Sequence, residues 1–432
     1  MTEIPAVRFR EVLTNRNFLF LWLGQLVSNF GDRLNQMALV ALVYQRNPGN
    51  EVALAKLISF TIIPVFIIGP IAGVWVDRLD RKKIMVISDI LRGALVLTIP
   101  LFIVLNQMLP IYIVIFLIFS ISRFFIPSKM AIIPDLVSKD KLLVANTLQD
   151  TTHMVGNVVG LMVAGFIVNI RYVGAIGGFY IDSATFFVSA ALIGLIAMKA
   201  REAAVAHSVK EELEVTAHAL ESSLKRSVFS EIKEGLGYLT KYTDMRFIMK
   251  VSFILLSGLG AISCVIIVFI QSAFGTSTRH IGFFGTYLVC GLFLGTMLYG
   301  RLGQKLNKRR TISLSFVASG ICIILFAILV GRYPNVYLAG ILSGLIGLSV
   351  SPMMASLNTM THETIPEEVR GRIFSSLEAV IHLAFLVFMF VAAYAAKFID
   401  RFWILVAVGT VFSVCGVVGV WKIATASKKN VI

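Results

Sequence analysis

Residues 73–83 read Gly-Val-Trp-Val-Asp-Arg-Leu-Asp-Arg-Lys-Lys, and residues 300–310 read Gly-Arg-Leu-Gly-Gln-Lys-Leu-Asn-Lys-Arg-Arg. A constant offset of 227 residues aligns the first glycine, the shared leucine and the basic residues of the two stretches. At this offset the acids Asp77 and Asp80 align with the amides Gln304 and Asn307. A match of this length at a fixed period indicates an internal repeat. The sequence therefore predicts a chain of two similar halves.

The composition indicates a membrane protein. Of the 432 residues, 57% are hydrophobic and 15% are charged, and the mean hydropathy is +0.85. Soluble proteins carry about 25% charged residues, and a soluble chain of this length could not bury so much apolar surface in its cores. A lipid bilayer is the solvent that accommodates such a composition.

Twelve apolar runs approach the roughly 20 residues that a membrane-spanning helix needs. Six precede the polar segment 199–246 and six follow it, which predicts an all-α integral membrane protein of two six-helix bundles, residues 1–198 and 247–432. Within the cytoplasmic linker 199–246, residues 230–242 have the spacing of an amphipathic surface helix, and 202–224 are interpreted as solvated. The predicted spans are 18–43, 54–76, 84–105, 110–128, 143–170, 172–198, 247–271, 280–300, 311–330, 335–358, 374–396 and 402–421.

The basic residues predict the orientation. When residues near span ends are counted with the adjoining loop, 29 of the 39 Lys and Arg residues fall on one side and 7 on the other, and Arg33, Arg92 and Arg123 lie within spans. Because basic loops stay in the cytoplasm, we expect a multi-pass protein of the cell (inner) membrane with both termini cytoplasmic. The net charge of +15 then reflects topology and attraction to anionic membrane lipids, not binding to nucleic acid.

The stretch 73–83 resembles the loop signature of the major facilitator superfamily, a glycine followed by Asp-Arg and a basic cluster between spans 2 and 3. Other segments resemble the branch that contains enterobactin exporters and macrolide-efflux proteins. The resemblance covers essentially the whole chain. It implies the twelve-helix major facilitator fold and a secondary transporter that exports its substrate by alternating access, often as a monomer. The segments that carry it are 125–127, 133–136, 181–187, 234–238 and 365–372.

The resemblance also implies a cytoplasmic gate. Gly73 permits neighbouring helices to approach closely, and Asp77 can accept from the positive N-terminal end of span 11. A simple positive-inside anchor is the alternative, and it accounts for the basic residues but not for Asp77. Glu378 could be a gate partner or a substrate ligand. The predicted gate comprises Gly73, Asp77, Arg78, Arg81, Arg123, Arg370, Arg372 and Glu378.

Polar side chains follow two predicted spans at helical spacing, which places them on one face of each helix. Polar groups are costly in hydrocarbon, so these stripes predict a water-accessible cavity between the halves. The alternative is a buried hydrogen-bond network that only joins helices. Span 1 contributes Gln25, Asn29, Asp32 and Gln36, and span 5 contributes Asn146, Gln149, Asp150, His153 and Asn157.

Asp32 and Asp150 are the candidates for proton coupling. Such coupling needs a carboxylate whose protonation responds to its surroundings as the site faces each side. Arg33 could pair with Asp150, Arg123 is a second possible partner, and His153 could titrate near neutral pH. The hypothesis is that Asp32 and Asp150 exchange protons against substrate.

Two further charged groups within spans have structural interpretations. Asp182 belongs to segment 181–187, which resembles a packing motif of the family. Arg92 is expected to snorkel or to pair with Asp89.

The sequence does not predict an enzyme. It contains no phosphate-binding glycine loop followed by Lys-Ser/Thr, and no HExxH or GxSxG motif stands out. The sparse histidines show no metal-ligand pairing, and the four cysteines are not placed for a disulfide framework or a zinc site, so no cofactor or metal is expected.

The predicted function is proton-coupled export of an amphiphilic small molecule of drug or siderophore type. A first alternative is transport of lysophospholipids or other lipids, since residues 29–32, Asn-Phe-Gly-Asp, are similar to lysophospholipid transporters. Span 7 departs from those proteins, because it has no basic residue at its middle. A second alternative, from another class, is a non-transporting membrane receptor or scaffold, which the embedded acids disfavour.

Overall fold

A computed structural model of the chain describes residues 9–69, 72, 76, 79–170, 172–197, 243–276, 278–303, 306–364 and 370–429. The regular elements of these residues are helices. A short 3₁₀ helix, Lys139–Lys141, precedes α6. The α-helices are α1 Phe9–Leu13, α2 Arg16–Arg46, α3 Glu51–Ile67, α4 Arg81–Val104, α5 Met108–Leu136, α6 Leu142–Asn169, α7 Gly174–Gly194, α8 Thr243–Phe274, α9 Arg279–Leu302, α10 Lys308–Arg332, α11 Val336–Thr364, α12 Arg370–Ala395 and α13 Arg401–Lys429.

Nine of the helices in the described ranges are long and apolar enough to cross a membrane. They are α4 to α11 and α13, and α12 adds a shorter apolar stretch, Val380–Ala395. Helix α2 has the necessary length, but the polar stripe along it lowers its hydropathy, and α3 has only 17 residues. The structure therefore supports an all-helical multi-pass membrane protein, and the count of twelve spans stays a prediction.

Side-chain caps explain where several helices begin. The Asn15 side chain accepts from two amides at the start of α2, and the Asn335 side chain accepts from the Tyr337 amide at the start of α11. Asp80 and Asn307, which align in the repeat, cap α4 and α10 in the same way. The Asp80 carboxylate accepts from the Lys83 amide at 3.1 Å, and the Asn307 carbonyl oxygen accepts from the Arg310 amide at 3.2 Å. Such caps satisfy amides that have no partner within the helix.

Helix α5 is longer than the sequence predicts. The predicted span ends at residue 128, whereas the helix continues to Leu136 and contains Pro127 and Pro134. Proline removes one backbone donor, but in membrane helices neighbouring groups compensate for the loss. The prediction placed Lys129 in a loop. The structure places it within the helix, where its side chain is half-buried.

Contacts within the described residues divide the chain into two compact units. The first comprises Met1–Ala197, Ile266–Cys290 and Leu329–Gly344, and the second comprises Met198–Val265, Gly291–Ile328 and Leu345–Ile432. The predicted boundary at 199–246 stays a prediction, and the amphipathic helix expected at 230–242 lies outside the described residues.

In the first unit, α2 packs along α7, and α4 packs against α5 and α7. An apolar core lies at one end of these helices and includes the fully buried Phe18, Leu21 and Met85. In the second unit, α10 and α13 cross with their backbones in contact. A Cβ atom on Gly320 would lie 2.4 Å from the Gly409 carbonyl oxygen, so the crossing requires glycine.

Candidate functional site

Asp182 and Asn35 join α7 to α2. The Asn35 side-chain nitrogen donates to Asp182 Oδ2 across 2.6 Å, and Asp182 is fully buried. A Cβ atom on Gly31 would lie 2.5 Å from Asp182 Oδ1 and 1.9 Å from Thr185 Oγ1. The glycine therefore lets the two helices approach until this bond can form. Sequence reasoning gave Asp182 a packing role. The structure adds that it is bonded to a residue that flanks the polar stripe of α2.

Arg92 connects three helices. It forms an ion pair with Asp89, one turn earlier on α4, and both side chains are buried. Its guanidinium carbon lies 4.4 Å from the centre of the Phe125 ring on α5 and 4.5 Å from that of Phe186 on α7. Of the two interpretations offered for Arg92, pairing with Asp89 is the one that the structure shows. The negative faces of the two aromatic rings attract the guanidinium and help to stabilise its charge.

Lys129 is a charged residue that sequence reasoning missed. It interacts electrostatically with both Asp32 and Asp150, the two acids singled out as proton carriers. Asp32 in turn interacts electrostatically with Arg33 and Arg92. Lys129 thus links the two polar stripes through charge. The apolar residues 130–133 that follow it are the signal that could have placed it inside the helix.

The pair suggested between Arg33 and Asp150 is not formed among the described residues. Arg33 donates instead to Gln36 on its own helix, Nη1 to Oε1 at 2.7 Å. Its Cγ atom lies 3.0 Å from the position of a Cβ on Gly160, ten residues after Asp150 on α6. At a rise of 1.5 Å per residue, ten residues are about 15 Å, which is too far for an ion pair. Arg123, the second suggested partner, has no hydrogen bond at Nε within the described part of the chain.

The two polar stripes contain bonded and unbonded groups. Trp22 Nε1 on α2 donates to Thr152 Oγ1 on α6 at 2.8 Å, and the Asn157 amide lies 3.2 Å from His153 Nδ1. Gln25 and Gln149 are buried, and their Nε2 atoms have no partner among the described residues. The remaining stripe residues are half-buried or exposed; they are Asn29, Asp32, Gln36, Asn146 and Asp150. The stripes therefore present unsatisfied donors, which a ligand or water could use.

Only part of the predicted gate lies in the described residues. Arg81 donates from Nη1 to Asp135 Oδ2 at 2.8 Å and to the Ala131 carbonyl at 2.9 Å. This ion pair joins the loop stretch 73–83 to segment 133–136. Glu378 has an exposed side chain on α12. Gly73, Asp77 and Arg78 lie outside the described residues, as do the side chains of Arg370 and Arg372.

The second copy of the repeat, residues 300–310, also forms an ion pair. Lys308, which aligns with Arg81, contacts both carboxylate oxygens of Glu363 at 2.6 and 2.5 Å. The partners are 54 residues apart in the first pair and 55 in the second. All four side chains are partly exposed, and exposed pairs contribute about 0 to 1 kcal/mol each. These pairs therefore position helix ends more than they stabilise the fold.

Comparisons with known proteins agree with this architecture. The family model described as transmembrane secretion effector matches residues 11–408. Macrolide efflux protein A of Streptococcus pyogenes is 24% identical over 374 residues, which are 85% of this chain and 86% of that protein. The multidrug efflux pump Tap of Mycolicibacterium fortuitum is 20% identical over 373 residues, 85% of this chain and 86% of that protein.

Solved structures show the fold. A bacterial homologue of the iron transporter ferroportin in its inward-facing state aligns with a TM-score of 0.67 at 16% identity and covers 94% of this chain and 98% of that one. A POT family transporter in complex with 5-aminolevulinic acid aligns with a TM-score of 0.67 at 13% identity, over 94% and 95% of the two chains. The family match and the helical architecture together show that the chain is a membrane transporter, not an enzyme, and that it belongs to the transmembrane secretion effector family of the major facilitator superfamily.

Proposed function

We propose that this transporter exports an amphiphilic small molecule in exchange for protons. It works by alternating access in a twelve-helix, two-bundle molecule with both termini in the cytoplasm, as a monomer in the cell (inner) membrane. The names of its relatives support the direction and the substrate class, since they include macrolide and multidrug efflux proteins. The transport mechanism is supported by charges on membrane helices of the first unit.

The observation that carries the proposal is the electrostatic link from Asp32 through Lys129 to Asp150. Charged groups on membrane helices are costly, and a receptor or scaffold that does not transport has no need of them. Two acids near one cation offer alternative charge states, because protonation of either acid leaves the positive charge of Lys129 balanced only by the other. A proton taken up on one side can thus change the charge balance around the site before it is released on the other side.

The polar stripes supply the groups that would hold the substrate. Gln25 and Gln149 keep buried amide donors without partners among the described residues. Asn29, Gln36, Asn146, His153 and Asn157 extend the same two faces. Amide and imidazole groups bind polar parts of an amphiphile, while the surrounding apolar helices accept its hydrocarbon. The cytoplasmic gate proposed from the loop stretch 73–83 and the start of α12 would then open and close this site.

The test is transport by purified protein in liposomes with an imposed pH gradient. The wild-type protein is expected to accumulate a macrolide or a cationic dye only when the gradient is present. Asp32→Asn and Asp150→Asn are expected to abolish that gradient-driven accumulation. Asp140→Asn is the matched control, because Asp140 is exposed outside the spans, where a hydrogen bond from Ser138 lowers its pKa and keeps it charged. Normal gradient-driven transport by both Asp32→Asn and Asp150→Asn would refute proton coupling at these acids.

Resistance profiles separate the classes of function. A deletion strain and an overexpressing strain are compared across macrolides, dyes, siderophores and lysophospholipids. A change in resistance or in siderophore release supports export. A defect confined to lysophospholipid uptake would favour lipid transport instead, and identical profiles in both strains would favour a receptor or scaffold.

A further inference from the structure

Helices α9, α10 and α11 enclose a groove in the second unit with a volume of about 710 Å³. This volume is within the range of pockets that bind small molecules, roughly 300 to 1,000 Å³. Four exposed leucines are among its lining residues; they are Leu298, Leu302, Leu306 and Leu314. An occupant that enters between these side chains must therefore carry hydrocarbon.

One end of the groove is cationic. Arg310 and Asn307 lie there, at the start of α10, and no carboxylate is among the described lining residues. The two basic residues next to Arg310 are already engaged, Lys308 with Glu363 and Arg309 over the Phe247 ring at 5.0 Å. The Arg310 guanidinium is exposed and has no ion pair or hydrogen bond within the described ranges. The positive end of the α10 helix dipole adds to its attraction for an anion.

A buried hydroxyl follows the cation along the groove. Ser315 lines the groove with only 7% of its surface exposed, and its side chain makes no hydrogen bond among the described residues. Ser349, across the groove, donates to the carbonyl of Ile346 on its own helix. Ser315 therefore keeps a donor for a ligand. It lies five residues beyond Arg310, which is about 7.5 Å along the helix axis.

The groove-lining face of α10 presents these groups in a fixed order. Arg310, Thr311, Leu314, Ser315 and Ala318 follow one another on that face, from the charged end to the apolar end. A phospholipid presents its phosphate, its ester oxygens and its acyl chain in the same order. We propose that the groove binds one anionic phospholipid, with the phosphate at Arg310, an ester oxygen at Ser315 and an acyl chain beside Ala318.

The test measures bound lipid by native mass spectrometry of delipidated protein mixed with phosphatidylglycerol or phosphatidylcholine. We expect the wild-type protein to retain phosphatidylglycerol in preference to phosphatidylcholine. Arg310→Gln should reduce this preference about five-fold, because one basic residue near an anionic lipid contributes about 1 kcal/mol. Arg332→Gln, at the other end of α10 and also exposed, is the matched control and should retain it. Ala318→Phe, at an exposed position, should reduce binding of both lipids by filling the space for the chain.

Three results would overturn the proposal. The first is an unchanged lipid preference in Arg310→Gln. The second is phosphatidylglycerol binding that is insensitive to Ala318→Phe, which would indicate adsorption to the charged surface alone. The third is complete displacement of phosphatidylglycerol by an equal concentration of inorganic phosphate, which would indicate a simple anion site. Arg310→Lys keeps the charge and should retain most of the preference, which guards against misfolding as the explanation for a loss.

Discussion

Asn35 on α2 donates to Asp182 on α7 across 2.6 Å, at a site where Asp182 is fully buried. The first-unit helices α2 and α7 therefore share a polar contact within an apolar environment. Because Asp182 is fully buried, the bond that Asn35 donates to its Oδ2 atom is important to this carboxyl group. We expect Asn35→Ala to lower the stability by about 1 to 3 kcal/mol, the cost of leaving a buried polar group unsatisfied.

Thermal unfolding of the purified protein in detergent checks this expectation. Gln36→Ala is the control, since Gln36 is exposed on the same helix and its loss should change the unfolding temperature little. Equal effects of the two substitutions would contradict the role of the buried bond.

Gly31 should not tolerate a side chain. A methyl group there would lie 1.9 Å from Thr185 Oγ1, so Gly31→Ala must force α2 and α7 apart at an expected cost of about 1 to 3 kcal/mol. Gly156→Ala is the matched control, because a Cβ atom there would have no described residue within 4 Å other than its chain neighbours and the backbone of its own helix. Adding Thr185→Ala to Gly31→Ala should restore part of the lost stability. If Gly31→Ala and Gly156→Ala have the same unfolding temperature, α2 and α7 do not approach as closely at Gly31 as described.

Substitutions of Lys129 and Asp150 should have non-additive effects on the free energy of unfolding. Lys129→Gln removes a positive charge that acts on both acids. We expect a loss well below the roughly 3 to 5 kcal/mol of a broken buried ion pair, because Lys129 is only half-buried and forms no ion pair with either acid among the described residues. The double variant Lys129→Gln/Asp150→Asn should be more stable than Lys129→Gln alone. It should nevertheless fail in gradient-driven transport. Additive losses in the unfolding midpoint would show that the two groups do not interact.

The ion pair of Arg81 with Asp135 should matter more for transport than for stability. A double-mutant cycle of Arg81→Gln and Asp135→Asn is expected to give a coupling energy of about 0.2 to 1 kcal/mol, as for other exposed pairs. If the proposed gate is correct, Arg81→Gln should reduce the transport rate at nearly unchanged stability. Lys83→Gln, in the same basic cluster, serves as the control. Full transport activity in Arg81→Gln would argue against a gating role for this pair.

The stabilising effect of the Asp80 cap on α4 should depend on its oxygen acceptor and not on its negative charge. Asp80→Asn is expected to keep the stability within about 0.5 kcal/mol, because asparagine and aspartate are comparable caps, whereas Asp80→Ala should cost about 1 kcal/mol. Unfolding measurements at the same salt concentration compare the two variants. A large loss in Asp80→Asn would show that Asp80 contributes through its charge.

The periodicity of the sequence predicts most of the fold, because apolar runs of bilayer length leave little choice of structure. Lys129 shows where this reasoning fails. The combination of proline, serine and lysine at 127–129 resembles a helix end, yet membrane helices tolerate proline. The bond of Asp182 is a different case. It depends on which face of α7 meets α2, and that pairing follows from tertiary packing instead of local pattern.

The two caps that align in the repeat, Asp80 and Asn307, have a consequence for how the halves could diverge. A cap needs an oxygen acceptor, which a carboxylate and an amide both provide. After a duplication, such a position can lose its negative charge at little cost to helix initiation. The cap's role in starting the helix and its charge can therefore change independently at this loop. One copy can keep a charge that takes part in movement, while the other copy keeps only the cap.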